Sequence, residues 1–372
     1  MIKIVAALFL SCSSSMLHAK EMIVYFGTGG KQSKGIYMSR LDMKTGKLSE
    51  PKLAVETTRP GFLAFNPDKS RLYAIGRMKG DDGKSTGSVE AYNIDRKTGK
   101  LMLINKQSTR GGVCHLDVDD AGKCVVVANY GGGSVVSYPI KEDGSIGPIA
   151  SFIEHEGSSV TDRQKGPHAH SINVDPTGRF AVAADLGIDK VLVYKLDPDT
   201  AKLTPQSDAK VAPGAGPRHF TFHNNGKFGY VINELNGTIT AFSYDSDNGK
   251  LKEIQTITTL PDGYKQRNST AEIRMHPNGR FLYASNRGHD TIAVFKVDPS
   301  TGKLTFVEHE STRGRHPRNF CLDPTGKFLL VGAMHDDRVS VLRVDEHTGE
   351  LEYAGSEVTV PGPMCVRYLE ID

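Results

Sequence analysis

A seven-residue tag, in its fullest form Asp-x-x-Thr-Gly-Lys-Leu, recurs along this chain, and its final apolar residue falls at Leu48, Leu101, Ile146, Leu203, Leu251, Leu304 and Leu351. The steps between copies are 53, 45, 57, 48, 53 and 47 residues. A turn precedes each copy after the first. It reads Asp-Pro-Thr-Gly at Asp175 and Asp323, with related forms beginning at Asn66, Asp119, His223 and His276. From the last turn residue to the next tag the distances are 32, 24, 25, 25, 25 and 25. Such constancy means that one supersecondary unit is copied, and a unit of this size cannot bury its apolar face alone. The copies must stack.

Inside each unit the apolar residues alternate or run in short β-branched stretches, as in Phe228-Gly229-Tyr230-Val231-Ile232 and Thr238-Ile239-Thr240-Ala241-Phe242. Pro and Gly punctuate the chain about every ten residues, and no window sustains a helical period. Four short strands per unit is the pattern of a propeller blade, with strands A to D running outward from a central channel. For one blade the expected strands are 219–222, 228–232, 239–244 and 251–257. The fold expected is all-β: a seven-bladed β-propeller of four-stranded antiparallel blades. Seven tags but only six turns imply that residues 364–371 supply strand A of a blade whose other strands begin at Met22, so the two chain ends close the ring and leave no open edge.

Composition narrows the partners. With 46 Lys and Arg against 43 Asp and Glu the net charge is +3, and no block of like charge occurs, so neither nucleic acid nor an acidic membrane surface is an implied partner. There is no Trp, which removes the Trp-Asp signature of one large propeller class. The one long apolar run is at the start: Lys3, then Ile4 to Leu10, then a Ser-rich stretch ending Leu17-His18-Ala19. That is the layout of a secretory signal peptide, too short for a stable membrane span. The expectation is a leader over 1–19, a propeller over 20–372, and export to the periplasm; a lipoprotein anchored through Cys12 ranks second. Cys114, Cys124, Cys321 and Cys365 remain, an even count that permits disulfides without making a framework. No Gly-rich phosphate loop or spaced metal-ligand set appears, so no cofactor and no metal are expected, and a closed ring makes a monomer the simplest state.

Strand direction alternates, so the D–A and B–C connections emerge on one face and the tight turns and tags on the other. Length variation collects on the first face, at residues 79–88, 154–165 and 261–268, which marks a binding face. The same face receives the polar openings of the inner strands: Pro167-His168-Ala169-His170, Gly216-Pro217-Arg218-His219, Thr270-Ala271-Glu272-Ile273-Arg274 and His316-Pro317-Arg318-Asn319. B–C corners add Asn129-Tyr130, Asp185, Asn233-Glu234, Asn286-Arg287 and His335. Imidazole, guanidinium and carboxylate groups thus converge on one channel mouth, and such a cluster can bind an oxygen-rich or anionic small molecule and activate water on it.

Hydrolysing an ester with activated water takes a base for the water, a cation for the oxyanion and an acid for the leaving alkoxide. His168 is the candidate base, Arg218 and Arg287 hold the carbonyl oxygen or a substrate anion, and Glu234 or Glu272 orients His168 or an arginine. His170, His219, Glu272, Tyr130, Arg318 and His335 complete the expected substrate contacts. Plainer roles stand beside these. Asn129, Asn233 and Asn286 end strand B as turn residues do, Arg218 and Arg318 share a repeat position that could join blades, and His168 and His170, two apart, could pack or ligate a metal. A propeller that binds a ligand without chemistry is the alternative reading, though a mere binder has no need of a base.

In these residues the chain resembles the seven-bladed propeller lactonase family, whose members include a 6-phosphogluconolactonase and fungal carboxymuconate-lactonising enzymes. The matching segments are Lys165-Gly166-Pro167-His168-Ala169-His170, Gly214-Ala215-Gly216-Pro217-Arg218-His219, Asn233-Glu234-Leu235, Ala271-Glu272-Ile273 and Ser285-Asn286-Arg287-Gly288-His289-Asp290, in a repeat frame covering essentially all of residues 20–372. The resemblance implies metal-free handling of a lactone ester by His168, Arg218, Glu234 and Arg287, with a sugar-type lactone or sugar acid as ligand. Lactonisation of a muconate-type diacid would use the same cluster in reverse.

Overall fold

In the computed structural model, residues 21–80 and 83–371 are described. The expected leader and Cys12 lie outside the described residues, as do Asp81 and Asp82 of the 79–88 insertion. Seven four-stranded antiparallel sheets form the ring, with two three-residue 3-10 turns, Asp162–Gln164 and Met334–Asp336, as its helical content among the described residues. The blade expected around residue 230 has strands Pro217–Phe222, Phe228–Asn233, Thr238–Asp245 and Lys250–Thr258. No helix among the described residues is long and apolar enough to cross a membrane.

Closure is as the turn count requires. Pro363–Glu370 is the innermost strand of the first blade, paired with Glu21–Thr28 from Met22 opposite Glu370 to Phe26 opposite Val366. Apolar cores lie between neighbouring blades. Met22, Val24 and Phe26 of the first blade pack with Leu330, Val339 and Val341 of the seventh, and Tyr230, Ile232 and Ile239 of the fifth with Leu282, Ala284 and Phe295 of the sixth. The four cysteines Cys114, Cys124, Cys321 and Cys365 are free thiols.

The tag residues make the C–D turn and join blades. In the copy at Asp298 the carboxylate accepts bonds from the backbone N–H groups of Ser300 (2.8 Å) and Thr301 (3.2 Å), and Gly302 N–H closes the turn onto the Asp298 carbonyl at 2.8 Å. The Ser300 hydroxyl, which also donates to this carboxylate at 2.6 Å, leads the backbone bonds in holding the Asp298 carboxyl down at about 2. Gly302 has φ +70°, and a Cβ there would lie 2.4 Å from the ring of Phe228 in the preceding blade. Glycine is therefore required twice, by backbone and by neighbour. The glycine carbonyl completes the joint: Tyr230 donates to Gly302 O (3.0 Å), as Tyr25 does to Gly99 O (2.7 Å), Tyr73 to Gly144 O (3.0 Å) and Tyr283 to Gly349 O (2.9 Å). Tyr283→Phe leaves one such buried carbonyl unpaired and is expected to cost about 1–2 kcal/mol, read as a lower urea midpoint with unchanged slope.

Candidate active site

Each of three inner strands at the mouth begins with a β-bulge. Pairing steps from Pro217 opposite Asn233 to His219 opposite Ile232, from Ala169 opposite Asp185 to Ser171 opposite Ala184, and from Pro317 opposite Ala333 to Asn319 opposite Gly332. The extra residues are Arg218, His170 and Arg318. A bulge breaks strict alternation and re-aims its side chain. Neighbours in sequence, Arg218 and His219, therefore meet: Arg218 Nη1 is 3.0 Å from His219 Nε2. For the same reason His168 and His170 part company. His168 stays at the mouth, stacked on Tyr130 with centroids 4.4 Å apart, while His170 is buried between Cys114 and Glu234.

Glu234 is the hub. Its Oε2 is 3.0 Å from Arg218 Nε and 2.9 Å from Arg287 Nη2, and its Oε1 accepts from Arg163 Nη2 at 3.3 Å. Burial opposes its charge, but Arg287 and Arg218, with His170 and Arg163 behind them, hold the carboxyl well below the usual range. The arginines are fixed from the other side by backbone carbonyls, Arg218 by Ala271 O (2.7 Å) and Arg287 by Thr270 O (2.6 Å). Burial pushes Arg218, Arg287 and Arg318 down to about 10, and all three remain cationic at neutral pH. Among the described residues Arg318 has no side-chain hydrogen bond or ion pair, although it shares the mouth with the other two.

The imidazoles divide by what their ring nitrogens meet. His219 Nε2 faces a guanidinium, so it accepts, and Nδ1–H donates to Glu272 at 3.1 Å. Burial, then Arg218, drives the His219 pKa far down, and burial with Arg218 does the same for His170. Both are neutral. His316 is pushed down to about 3 by burial and by Arg287, and stacks on His335 with centroids 4.0 Å apart. His168 differs: its Nδ1 lies 2.9 Å from the Tyr130 carbonyl oxygen and must donate to it, which leaves the Nε2 lone pair without a partner among the described residues. Asp185 anchors this segment, accepting from His168 N–H (2.7 Å) and from His155 Nδ1 (2.6 Å), whose Nε2 accepts from Tyr194 at 2.8 Å.

The mouth thus gathers His168, His170, Arg218, Glu234, Arg287, Arg318 and Tyr130, with His335 at its rim behind His316. Glu234 contacts arginines and not His168. His219 and Glu272 lie one level deeper, where Glu272 also meets Arg274 and Asn319. Asn129 and Asn286 brace loops through Thr109 O and Thr259 O. Arg163, from the 154–165 insertion, was not singled out by the sequence; it bridges the Tyr130 hydroxyl (2.7 Å) and Glu234. Its only prior signal is a basic side chain in an insertion on the binding face.

A closed ring of seven blades with one guanidinium, imidazole and carboxylate cluster at a channel mouth defines a propeller of the enzyme-like kind. The chain belongs to the family described as lactonase, 7-bladed beta-propeller, whose model matches residues 23–368. It is similar to the 6-phosphogluconolactonase of Bacillus subtilis, with 40% identity over 94% of this chain and 99% of that one. A protein of the same name from Formosa agariphila is 36% identical over 81% of this chain and 86% of its own. The solved periplasmic gluconolactonase of Pseudomonas aeruginosa superposes with a TM-score of 0.89 at 32% identity, covering 95% of this chain and 100% of that one.

Proposed function

We propose that this protein hydrolyses a sugar-type lactone at the channel mouth. The observation that carries the reading is the His168 imidazole, its tautomer set by the Tyr130 carbonyl and its Nε2 lone pair free of partners among the described residues, at a mouth that also holds three cationic arginines. His168 Nε2 takes the proton of a water as that water's oxygen adds to the lactone carbonyl. Charge passes to the carbonyl oxygen, where the guanidinium N–H groups of Arg218 and Arg287 not engaged by Glu234 or backbone stabilise it. Collapse breaks the ring C–O bond, and the imidazolium returns its proton to the leaving alkoxide, giving a hydroxy acid. Glu234 keeps two arginines oriented without touching the reacting atoms. Arg318, with no protein partner among the described residues, binds an anionic substituent or the nascent carboxylate.

The names of the relatives support this substrate class, and the periplasmic relative supports export, with removal of residues 1–19 as part of the same proposal. In a pH-indicator assay on glucono-δ-lactone and its 6-phosphate, the wild type is expected to exceed the spontaneous rate on at least one. No acceleration on these or other lactones would leave a binding protein instead. Arg318→Gln is expected to raise KM about tenfold on the phosphorylated lactone, the loss of one charge-assisted contact, and to change it much less on the neutral one. Equal effects on both would move Arg318 from substrate contact to scaffold.

A further inference from the structure

The inner strands run on past the mouth toward the opposite face, and their far halves carry polar side chains that lactone opening leaves unused. Strand register identifies them. Four equivalent strand B tyrosines mark one level of the ring, where Tyr25 is opposite Arg367, Tyr73 opposite Ala64, Tyr230 opposite Thr221 and Tyr283 opposite Arg274. The other three blades place Asp117, Asn173 and Cys321 at that level. Two residues toward the mouth lie Phe62, His115, His219, Glu272 and Asn319, all buried. There His219 is 5.3 Å from His115 and 5.8 Å from Phe62, centroid to centroid, so this layer closes the channel between its two ends.

Below that layer the side chains are reachable by water: Asp117, Asn173, Thr221, Arg274 and Arg367 are each partly exposed. Arg274 and Arg367 act together, since both charges pull on Asp117, whose carboxyl burial nonetheless holds up at about 6. Arg367 lies over Phe62 at 4.7 Å and donates to the Val366 carbonyl; among the described residues no acid pairs with it. Arg274 is ion-paired with Glu272, its Nε at 3.4 Å and its Nη2 donating at 3.5 Å, yet the Arg274 Nε and the Asn173 Oδ1 are buried polar atoms without an aligned hydrogen bond. Two cations face acceptors with spare capacity. A phosphate dianion would meet the cations but also the Asp117 carboxylate, whereas a molecule with one carboxylate and several hydroxyls matches both halves.

We propose that this well is a second binding site, for a small hydroxy acid, in which Arg274 and Arg367 hold the carboxylate and Asp117, Asn173 and Thr221 hydrogen-bond the hydroxyl groups. The well stands on its own geometry; that its ligand is of the product class of the channel mouth rests on the lactonase reading. The test is calorimetric titration of the full chain with sodium gluconate, sodium phosphate and sorbitol, on wild type, Arg367→Gln and Arg367→Lys. Gluconate is expected to fill a site that Arg367→Gln weakens at least about tenfold and Arg367→Lys less, while lactonase rates stay at the wild-type level. Gluconate binding equal in wild type and Arg367→Gln overturns the site. Phosphate or sorbitol filling the Arg367-dependent site as well as gluconate overturns its hydroxy-acid character. Should Arg367→Gln fail to fold, Arg367→Lys decides alone, since unchanged affinity with the fork removed would count against the well. Arg367-dependent binding in a chain without lactonase activity would refute the reaction and leave the well; activity without that binding would do the reverse.

Discussion

His168→Ala is expected to lower kcat for lactone opening by roughly 10²- to 10⁴-fold, the range for loss of a positioned general base, with KM nearly unchanged. The split follows from where His168 stands. Its Nδ1 is committed to the Tyr130 carbonyl and its ring to the Tyr130 face, so only Nε2 is available, and in the proposed reaction that atom has work to do only when water attacks the lactone carbonyl. In the proposed reaction substrate affinity comes from the arginines, which the substitution leaves in place. Folding should survive, because the His168 ring gives the scaffold only a stacking face and one bond to a carbonyl, at a partly exposed position. His168→Gln separates chemistry from architecture: its amide can still donate to the Tyr130 carbonyl but cannot accept a proton at neutral pH. Glutamine should therefore be as inactive as alanine. Activity restored by glutamine would make His168 a spacer and send the search for a base elsewhere in the mouth.

The fold was legible because its instructions are local. An Asp that caps a turn, a glycine at positive φ and a tyrosine that reaches the next blade repeat at fixed spacing, and the missing turn before Met22 announced the terminal closure. The site was legible only in part. Residue types at the inner-strand openings and the B–C corners named Arg218, Glu234 and Arg287, which the structure brings within one hydrogen-bonded group. Period-two reasoning could not foresee the bulges, so it put His168 and His170 on one face and gave no reason for adjacent Arg218 and His219 to touch. Nor could it assign Glu234 to the arginines over His168, a choice made by which B–C corner faces which bulge. Arg163 and Arg367 depended on three-dimensional placement for which neither motif nor spacing exists: one reaches in from an insertion, the other from the strand that closes the ring.

Glu234→Gln is expected to destabilise the protein by about 3–5 kcal/mol at pH 7, the cost of breaking a buried ion pair from one side. That is a large share of the roughly 5–15 kcal/mol that holds a typical domain. The amide matches the carboxylate in shape, so packing is conserved and the loss is electrostatic. Arg218 and Arg287 are buried and keep their backbone carbonyls, but the carboxylate that balanced them is gone, and the charge of Arg318 adds to theirs. The pH dependence has a definite sign. Because the folded pKa of Glu234 is depressed, its contribution is fully present above the unfolded value of about 4.3 and is lost as pH falls through the lower folded value. The urea-denaturation difference between wild type and Glu234→Gln should thus be widest near neutrality and narrow progressively below about pH 4. Added phosphate or sulfate should restore stability to the variant more than to wild type, since an oxyanion can occupy the place of the missing charge. Equal urea midpoints for the two proteins at pH 7 would mean that the arginines are not held in place by Glu234, and the preorganised oxyanion site would lose its support.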